Sequence, residues 1–265
     1  MARRTLVDCR VLITGASSGI GRELALALSR RGARVLLAAR REELLDSVVA
    51  ECAREGGRAE RVAGDITEVA YQDELLRHVA STWGGLDVLV NNAGVSALGR
   101  FAEGDSSTLR RIMEVNFFAP AELTRRALPL LAAGSRPAVV NVGSILGHRG
   151  APLNSEYCAS KFALRGWSEA LRAELAPEGI DVLLVSPGTV ETEFFDHVIA
   201  KRADVPWGDA KGIPAAAVAE QTVRALARGR REIFPNWRGR GMVLANRLFP
   251  GIVDRVMVRL AGQRE

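Results

Sequence analysis

Apolar positions along the first 190 residues follow two alternating rhythms. Short, continuous, largely β-branched runs fall at Cys9–Thr14, Arg34–Ala39, Ala59–Ala63, Leu86–Asn91, Ala138–Val142 and Asp181–Val185. Between them lie longer stretches whose apolar residues recur every three to four positions: Ile20–Arg31 (stopped by Gly32), Glu42–Glu55, Val69–Trp83, Ser106–Leu131 and Ser155–Ala176. The first rhythm predicts strands and the second amphipathic helices. Strands apolar on both faces, alternating with helices, predict an α/β fold: a doubly wound parallel sheet covered on both sides.

The pattern weakens from Glu191 to Pro214, where Pro206, Gly208, Gly212 and Pro214 interrupt it. This predicts an irregular insertion outside the carboxyl ends of the strands, where open α/β sheets bind ligands. Phe194, Phe195, Val198, Ile199 and Trp207 make the insertion apolar, which suits a lid over an apolar substrate. No linker or repeat divides the chain before residue 190, so residues 1–233 read as one domain and 234–265 as an extension. Within that extension Ile252, Val253, Val256, Met257 and Leu260 fall on one helical face, with Asp254, Arg255 and Arg259 on others. Such a helix packs on its own or a sister subunit, or lies on a membrane surface.

Charge sharpens this division. The chain carries +5, but nine arginines against three acidic residues give the segment from Arg228 onward +6 and leave the rest at −1. The basic balance therefore belongs to the tail, and the domain has no nucleic-acid-binding character. A hydrophobic fraction of 48% supports a full core. No apolar run approaches the ~20 residues of a membrane span, and the short apolar stretch after Met1-Ala2-Arg3-Arg4 does not read as a signal peptide. Three scattered cysteines, Cys9, Cys52 and Cys158, point to a reducing compartment and exclude a disulfide framework; neither they nor His78, His148 and His197 have metal-ligand spacing. A cytoplasmic protein, in peripheral contact with a membrane if the tail serves that purpose, is expected.

The candidate chemistry centres on Tyr157 and Lys161. The chain has only two tyrosines and three lysines, and these two lie four apart, on one face of a predicted helix. An ammonium beside a phenol favours the phenolate, lowering a pKa of about 10 and readying the group to exchange a proton with a substrate oxygen. After the first strand, Thr14-Gly15-Ala16-Ser17-Ser18-Gly19-Ile20-Gly21 forms a glycine-rich turn into a helix. Such a turn lets backbone approach a pyrophosphate, and the free N–H groups of the helix start attract it. The second strand ends in Ala38-Ala39-Arg40-Arg41, with no carboxylate to hold ribose hydroxyls. Arg40 can instead contact a 2′-phosphate, which predicts NADP(H) over NAD(H).

Taken together, these residues resemble the short-chain dehydrogenase/reductases in their shorter, single-domain branch. The likeness runs from Cys9 to Ile233 and includes the glycine loop, Asn91-Asn92-Ala93-Gly94, Val115-Asn116, Asn141-Val142-Gly143-Ser144, Tyr157 with Lys161, and Pro187-Gly188. The resemblance implies a Rossmann-type catalytic domain that moves hydride between a nicotinamide and a carbonyl or secondary alcohol. It implies Tyr157 as general acid or base, Ser144 on the substrate oxygen, Lys161 on the nicotinamide ribose, and Asn116 holding a relay water. Gly15, Ser17, Ser18, Gly19, Ile20 and Gly21 would take the pyrophosphate side. Asp65 and Ile66, with Asn92, Ala93 and Gly94, would take the adenosine side; Pro187, Gly188, Val190 and Thr192 would flank the nicotinamide. The substrate pocket would be lined by Ser144, Ile145, Leu146, Leu153, Tyr157, Gly188 and the 191–214 insertion. The resemblance further implies a homodimer or homotetramer paired through the helices around Ser106–Leu131 and Ser155–Ala176. Two other classes are weighed beside it, a non-catalytic nucleotide sensor and a membrane-surface interaction protein; retention of both Tyr157 and Lys161 favours the enzyme.

Overall fold

The computed structural model describes residues 4–205 and 211–262. Seven parallel strands form its central sheet: β1 (Arg10–Thr14), β2 (Arg34–Ala39), β3 (Arg58–Ala63), β4 (Val88–Asn91), β5 (Ala138–Val142), β6 (Asp181–Val185) and β7 (Glu232–Ile233). Their order across the sheet is β7-β6-β5-β4-β1-β2-β3. The chain therefore winds outward from β1 in one direction through β3 and in the other through β7, and the switch lies between β1 and β4. Clefts open at such a switch because the flanking crossovers leave in opposite directions.

Side chains alternate across the strands. Val11 and Ile13 of β1 and Val35 and Leu37 of β2 enter one core. It is shared with α1 (Gly19–Ser29), α2 (Glu42–Arg54) and α7 (Ala215–Ala227). Leu12 and Leu36 point the other way, into a core shared with α3 (Val69–Trp83), α5 (Ala119–Ala132) and α6 (Ser155–Glu174). Large side chains such as Leu12, Ile13, Leu24, Leu36 and Leu123 are less than 2% exposed. Each contributes roughly 1.5–3 kcal/mol by leaving water, so the two cores hold the sheet rigid beneath the cleft.

The predicted helix at Ser106–Leu131 is broken. It consists of α4 (Ser106–Met113), a π-helical turn (Glu114–Phe118) and α5. Single π turns commonly mark functional sites because they rotate one side chain out of helical register, and here that turn carries Asn116. The predicted insertion is more ordered than its composition suggests. Val190–Glu191 pairs with Ile213–Pro214 at its ends, and Ala200–Lys201, within it, pairs with Ala97–Leu98, in two small parallel ladders. Trp207 lies outside the described residues. The tail forms two helices, α8 (Trp237–Leu248) and α9 (Pro250–Gly262). None of the described helices is long and apolar enough to cross a membrane.

Candidate active site

A cavity of about 690 Å³ lies along the carboxyl ends of the strands. The described structure brings to its wall every residue expected of the cofactor and substrate-oxygen sites except two. Gly21 and Asn116 sit behind the wall and shape it.

At one end is the glycine loop. Gly21 is buried in α1, and a Cβ there would stand 2.3 Å from the Gly15 carbonyl oxygen and 2.5 Å from Asn92 Nδ2. Only a hydrogen fits, so the loop folds back tightly on the helix start. Asn92 secures this fold, donating from Nδ2 to the Thr14 and Gly15 carbonyls at 3.0 and 3.1 Å. Thr14 Oγ1 in turn accepts from the Asn92 and Ala93 backbone N–H groups at 3.0 and 3.1 Å. Ser18 caps α1 without a side-chain hydrogen bond to it, so the helix start faces the cleft with donors to spare. A phosphate group fits that arrangement.

The same end is rich in guanidinium groups. Arg40 and Arg41 are exposed at the cleft, and Arg41 Nη2 donates to the Ser17 and Ser18 hydroxyls at 3.1 and 2.6 Å. Arg111 of α4 also lines it, pairing with Asp65 at 2.6 Å. Burial raises the Asp65 carboxyl, but hydrogen bonds from Thr67 and Arg111 outweigh it and hold the group below its usual range. Asp65 is therefore ionised and already engaged. Its partner Arg111 carried no signal of its own in the sequence.

The other end holds the candidate catalytic groups. Tyr157 and Lys161 lie one turn apart on α6, only 7% and 4% exposed. The Ser144 hydroxyl stands beside the Tyr157 phenol and accepts from Leu146 N at 3.1 Å. Lys161 Nζ donates to the Val142 carbonyl at 2.9 Å and stands 5.6 Å from the centre of the Tyr157 ring. The expected lowering of the phenol is not found. Burial pushes the Tyr157 phenol up, and the nearby Ser144 hydroxyl offsets this only in part. Burial also acts on Lys161, bringing it from 10.5 down to about 8. Desolvation disfavours both charges, and Lys161 spends its hydrogen bond on backbone.

Asn116, rotated inward by the π turn, is 1% exposed. Its Oδ1 accepts from Val95 N at 2.8 Å, and its Nδ2 donates to Val95 O and to Ser160 Oγ, both at 2.9 Å. Ser160 Oγ donates onward to the Tyr157 carbonyl at 2.7 Å. A continuous chain thus ties the π turn to the helix bearing Tyr157, with Ser160 a member the sequence did not reveal.

Some expectations move. Leu153, Val198 and Ile199 are not among the cavity-lining residues, whereas Met242, Met257 and Leu260 of the tail are. His148 is buried and does not line the cavity, with Nε2 3.0 Å from both Ser186 Oγ and Glu232 Oε1. Cys158 packs against the Ala151 backbone. Among the described residues no cluster suits a metal ion.

A parallel sheet with a phosphate-ready loop at its switch point, and a buried tyrosine beside a serine and a lysine, defines a dinucleotide-dependent oxidoreductase. The model for short chain dehydrogenases matches residues 10–203. The chain belongs to the short-chain dehydrogenase/reductase family, enzymes acting between CH–OH and C=O groups with a nicotinamide cofactor. An uncharacterised oxidoreductase of Bacillus subtilis is 33% identical over 261 residues, covering 97% of this chain and 73% of that protein. A hydroxysteroid 11-beta-dehydrogenase 1-like protein of Xenopus laevis is 32% identical over 262 residues, covering 97% of this chain and 88% of that one. A short-chain dehydrogenase/reductase from Burkholderia phymatum, solved in complex with NAD, shares the fold. It has a TM-score of 0.85 at 24% identity over 94% of this chain and 96% of that one.

Proposed function

We propose that this enzyme is an NADP(H)-preferring oxidoreductase that reduces an apolar carbonyl compound, or oxidises the corresponding secondary alcohol, with Tyr157 as general acid or base. The observation that carries the mechanism is the buried Tyr157 beside Ser144, both lining a cleft whose far end suits phosphate. A bound nicotinamide supplies hydride to the carbonyl carbon. Tyr157 Oη gives its proton to the substrate oxygen, and its raised pKa keeps that proton in place at neutral pH until the oxygen becomes basic. Ser144 Oγ donates a hydrogen bond to the same oxygen as charge builds on it. Lys161, still mostly protonated at pH 7 with a pKa of about 8, lies close enough to stabilise the phenolate left behind. Asn116 holds the π turn and Ser160 in place, and through them the backbone at Tyr157. In the alcohol-oxidising direction each proton moves in reverse.

Preference for NADP(H) follows from the Arg40, Arg41 and Arg111 guanidiniums at the adenosine end, where the Asp65 carboxylate is taken up by Arg111. An apolar substrate follows from Ile145, Leu146, Phe194, Phe195 and Met257 in the wall at the other end. The steroid dehydrogenase name of the Xenopus relative is compatible with a bulky substrate. A homodimer or homotetramer would bury Phe118 and Phe162, which are 48% and 43% exposed at the α5 start and on α6. The tail would touch a membrane surface peripherally, through exposed Leu244, Leu248, Phe249, Ile252 and Val256 flanked by arginines. With three free, buried cysteines, the enzyme suits the reducing cytoplasm. A screen of ketones and aldehydes with NADPH and NADH tests the substrate and cofactor together. Faster turnover of bulky apolar ketones with NADPH is expected, and much faster turnover of small charged ketones contradicts the reading.

A further inference from the structure

Arg149, five residues after Ser144, holds the two tail helices to the catalytic loop. Its Nη1 donates to Asn246 Oδ1 of α8 at 3.1 Å, and its Nη2 pairs with Asp254 Oδ1 of α9 at 2.7 Å. The Arg149 side chain is only 18% exposed, which shields its end of the pair from water. A second attachment lies close by. A Cβ on Gly239 would stand 2.8 Å from Ile145 Cγ2 and 3.8 Å from Gly188 Cα, so α8 rests directly on the loops that frame Ser144. α9 has no buried residue of its own. Its position therefore depends on these few anchors, yet it supplies Met257 and Leu260 to the cavity wall, beside Met242 of α8.

We propose that Arg149 is a specificity-determining residue that clamps the tail helices over the cleft, so that Met242, Met257 and Leu260 form a wall selecting extended apolar substrates over small ones. The proposal rests on reading the cleft as a carbonyl-reducing site and adds which part of the chain measures the substrate. Thioether side chains make such a wall adaptable and favour flexible chains over one rigid shape. Each methylene laid against it is worth about fourfold in kcat/KM. Without the clamp, that gain is lost while the chemistry at Ser144 and Tyr157 continues.

The test uses the full chain, NADPH and straight-chain 2-alkanones from butanone to dodecanone. In the wild type, kcat/KM should climb with chain length. In the double variant N246A/D254N, which removes both tail partners of Arg149, the climb should flatten to less than twofold per methylene, with butanone turnover within twofold of wild type. R149Q should flatten it equally, and R149Q combined with D254N should lose nothing further. Hydrogen exchange of the amides at 250–262 should accelerate at least tenfold in each variant. An unchanged chain-length slope with unchanged exchange overturns the clamp, as does additive loss in the combined variant. If the wild type turns over no alkanone, the apolar-carbonyl reading fails, while hydrogen exchange still decides whether Arg149 holds the tail.

Discussion

Lys161 gives the sharpest link between chemistry and stability. Its ammonium is buried, and its pKa falls from 10.5 to about 8. A folded-state pKa below the unfolded one means the unfolded chain holds the proton more tightly, so charging Lys161 opposes folding. The penalty is complete below pH 8 and amounts to about 3 kcal/mol at 1.36 kcal/mol per unit. It is relieved as pH rises from 8 toward 10.5, and about 2 kcal/mol of it is gone by pH 9.5. Lys161→Met keeps the length of the side chain and removes the charge, but leaves the Val142 carbonyl without its 2.9 Å donor. That loss costs about 1–3 kcal/mol and does not depend on pH. Near pH 7 the two effects should nearly balance, leaving the variant within about 2 kcal/mol of the wild type. The decisive quantity is the pH trend. Urea unfolding at pH 7.0 and 9.5 should show the wild type gaining about 2 kcal/mol on the variant over that interval. A stability difference that stays constant between the two pH values refutes the buried-charge account of Lys161, whatever its absolute size.

Other outcomes are open to direct measurement. Arg40→Ala should weaken NADPH binding roughly 10–100-fold, as expected for losing a charge-assisted hydrogen bond, and leave NADH within twofold; fluorescence titration reads both, and an equal loss for the two cofactors removes Arg40 from the 2′-phosphate. Gly21→Ala places a methyl 2.3 Å from the Gly15 carbonyl oxygen; it should lower the denaturation midpoint by an amount equivalent to about 1–3 kcal/mol and abolish cofactor binding. Light scattering at micromolar concentration should return a multiple of the 28.5 kDa chain mass, and Phe118→Glu with Phe162→Glu should reduce it to the monomer; a monomeric wild type contradicts the proposed pairing of α5 and α6.

Much of the fold was legible in the sequence because strands and helices were carried by large, well-separated apolar residues. The β2, β5 and β6 bounds agree at both ends, as do those of α3. Leu86 and Asp87 were read into β4, but Leu86 N–H bonds to the Leu130 carbonyl of α5 rather than to a neighbouring strand, and the strand begins at Val88. Helix α7 was not foreseen, since alanines dominate Ala215–Ala227 and blur its apolar stripe. β7, two residues long, is too short to show a period. The π turn was invisible because its residues, Glu114–Phe118, keep a helical apolar pattern while the hydrogen bonds shift by one. At the site, residues bound by spacing or glycine stood out: Tyr157, Lys161 and the 14–21 loop. Those assembled by tertiary contact did not. Arg111 reaches Asp65 across 46 positions, and Arg149 reaches Asn246 across 97. The direction of the Tyr157 shift was missed for a related reason: spacing reports the nearby cation but not the burial that pushes the phenol up.

The central claim is that Tyr157 moves the proton in a cofactor-bound cleft. Tyr157→Phe retains the ring that packs 5.8 Å from Phe194 and deletes only the hydroxyl beside Ser144. Turnover of the best ketone with NADPH should fall by about 10²–10⁴-fold. NADPH affinity, measured by titration on the same preparation, should remain within threefold. Turnover undiminished in the variant contradicts the account.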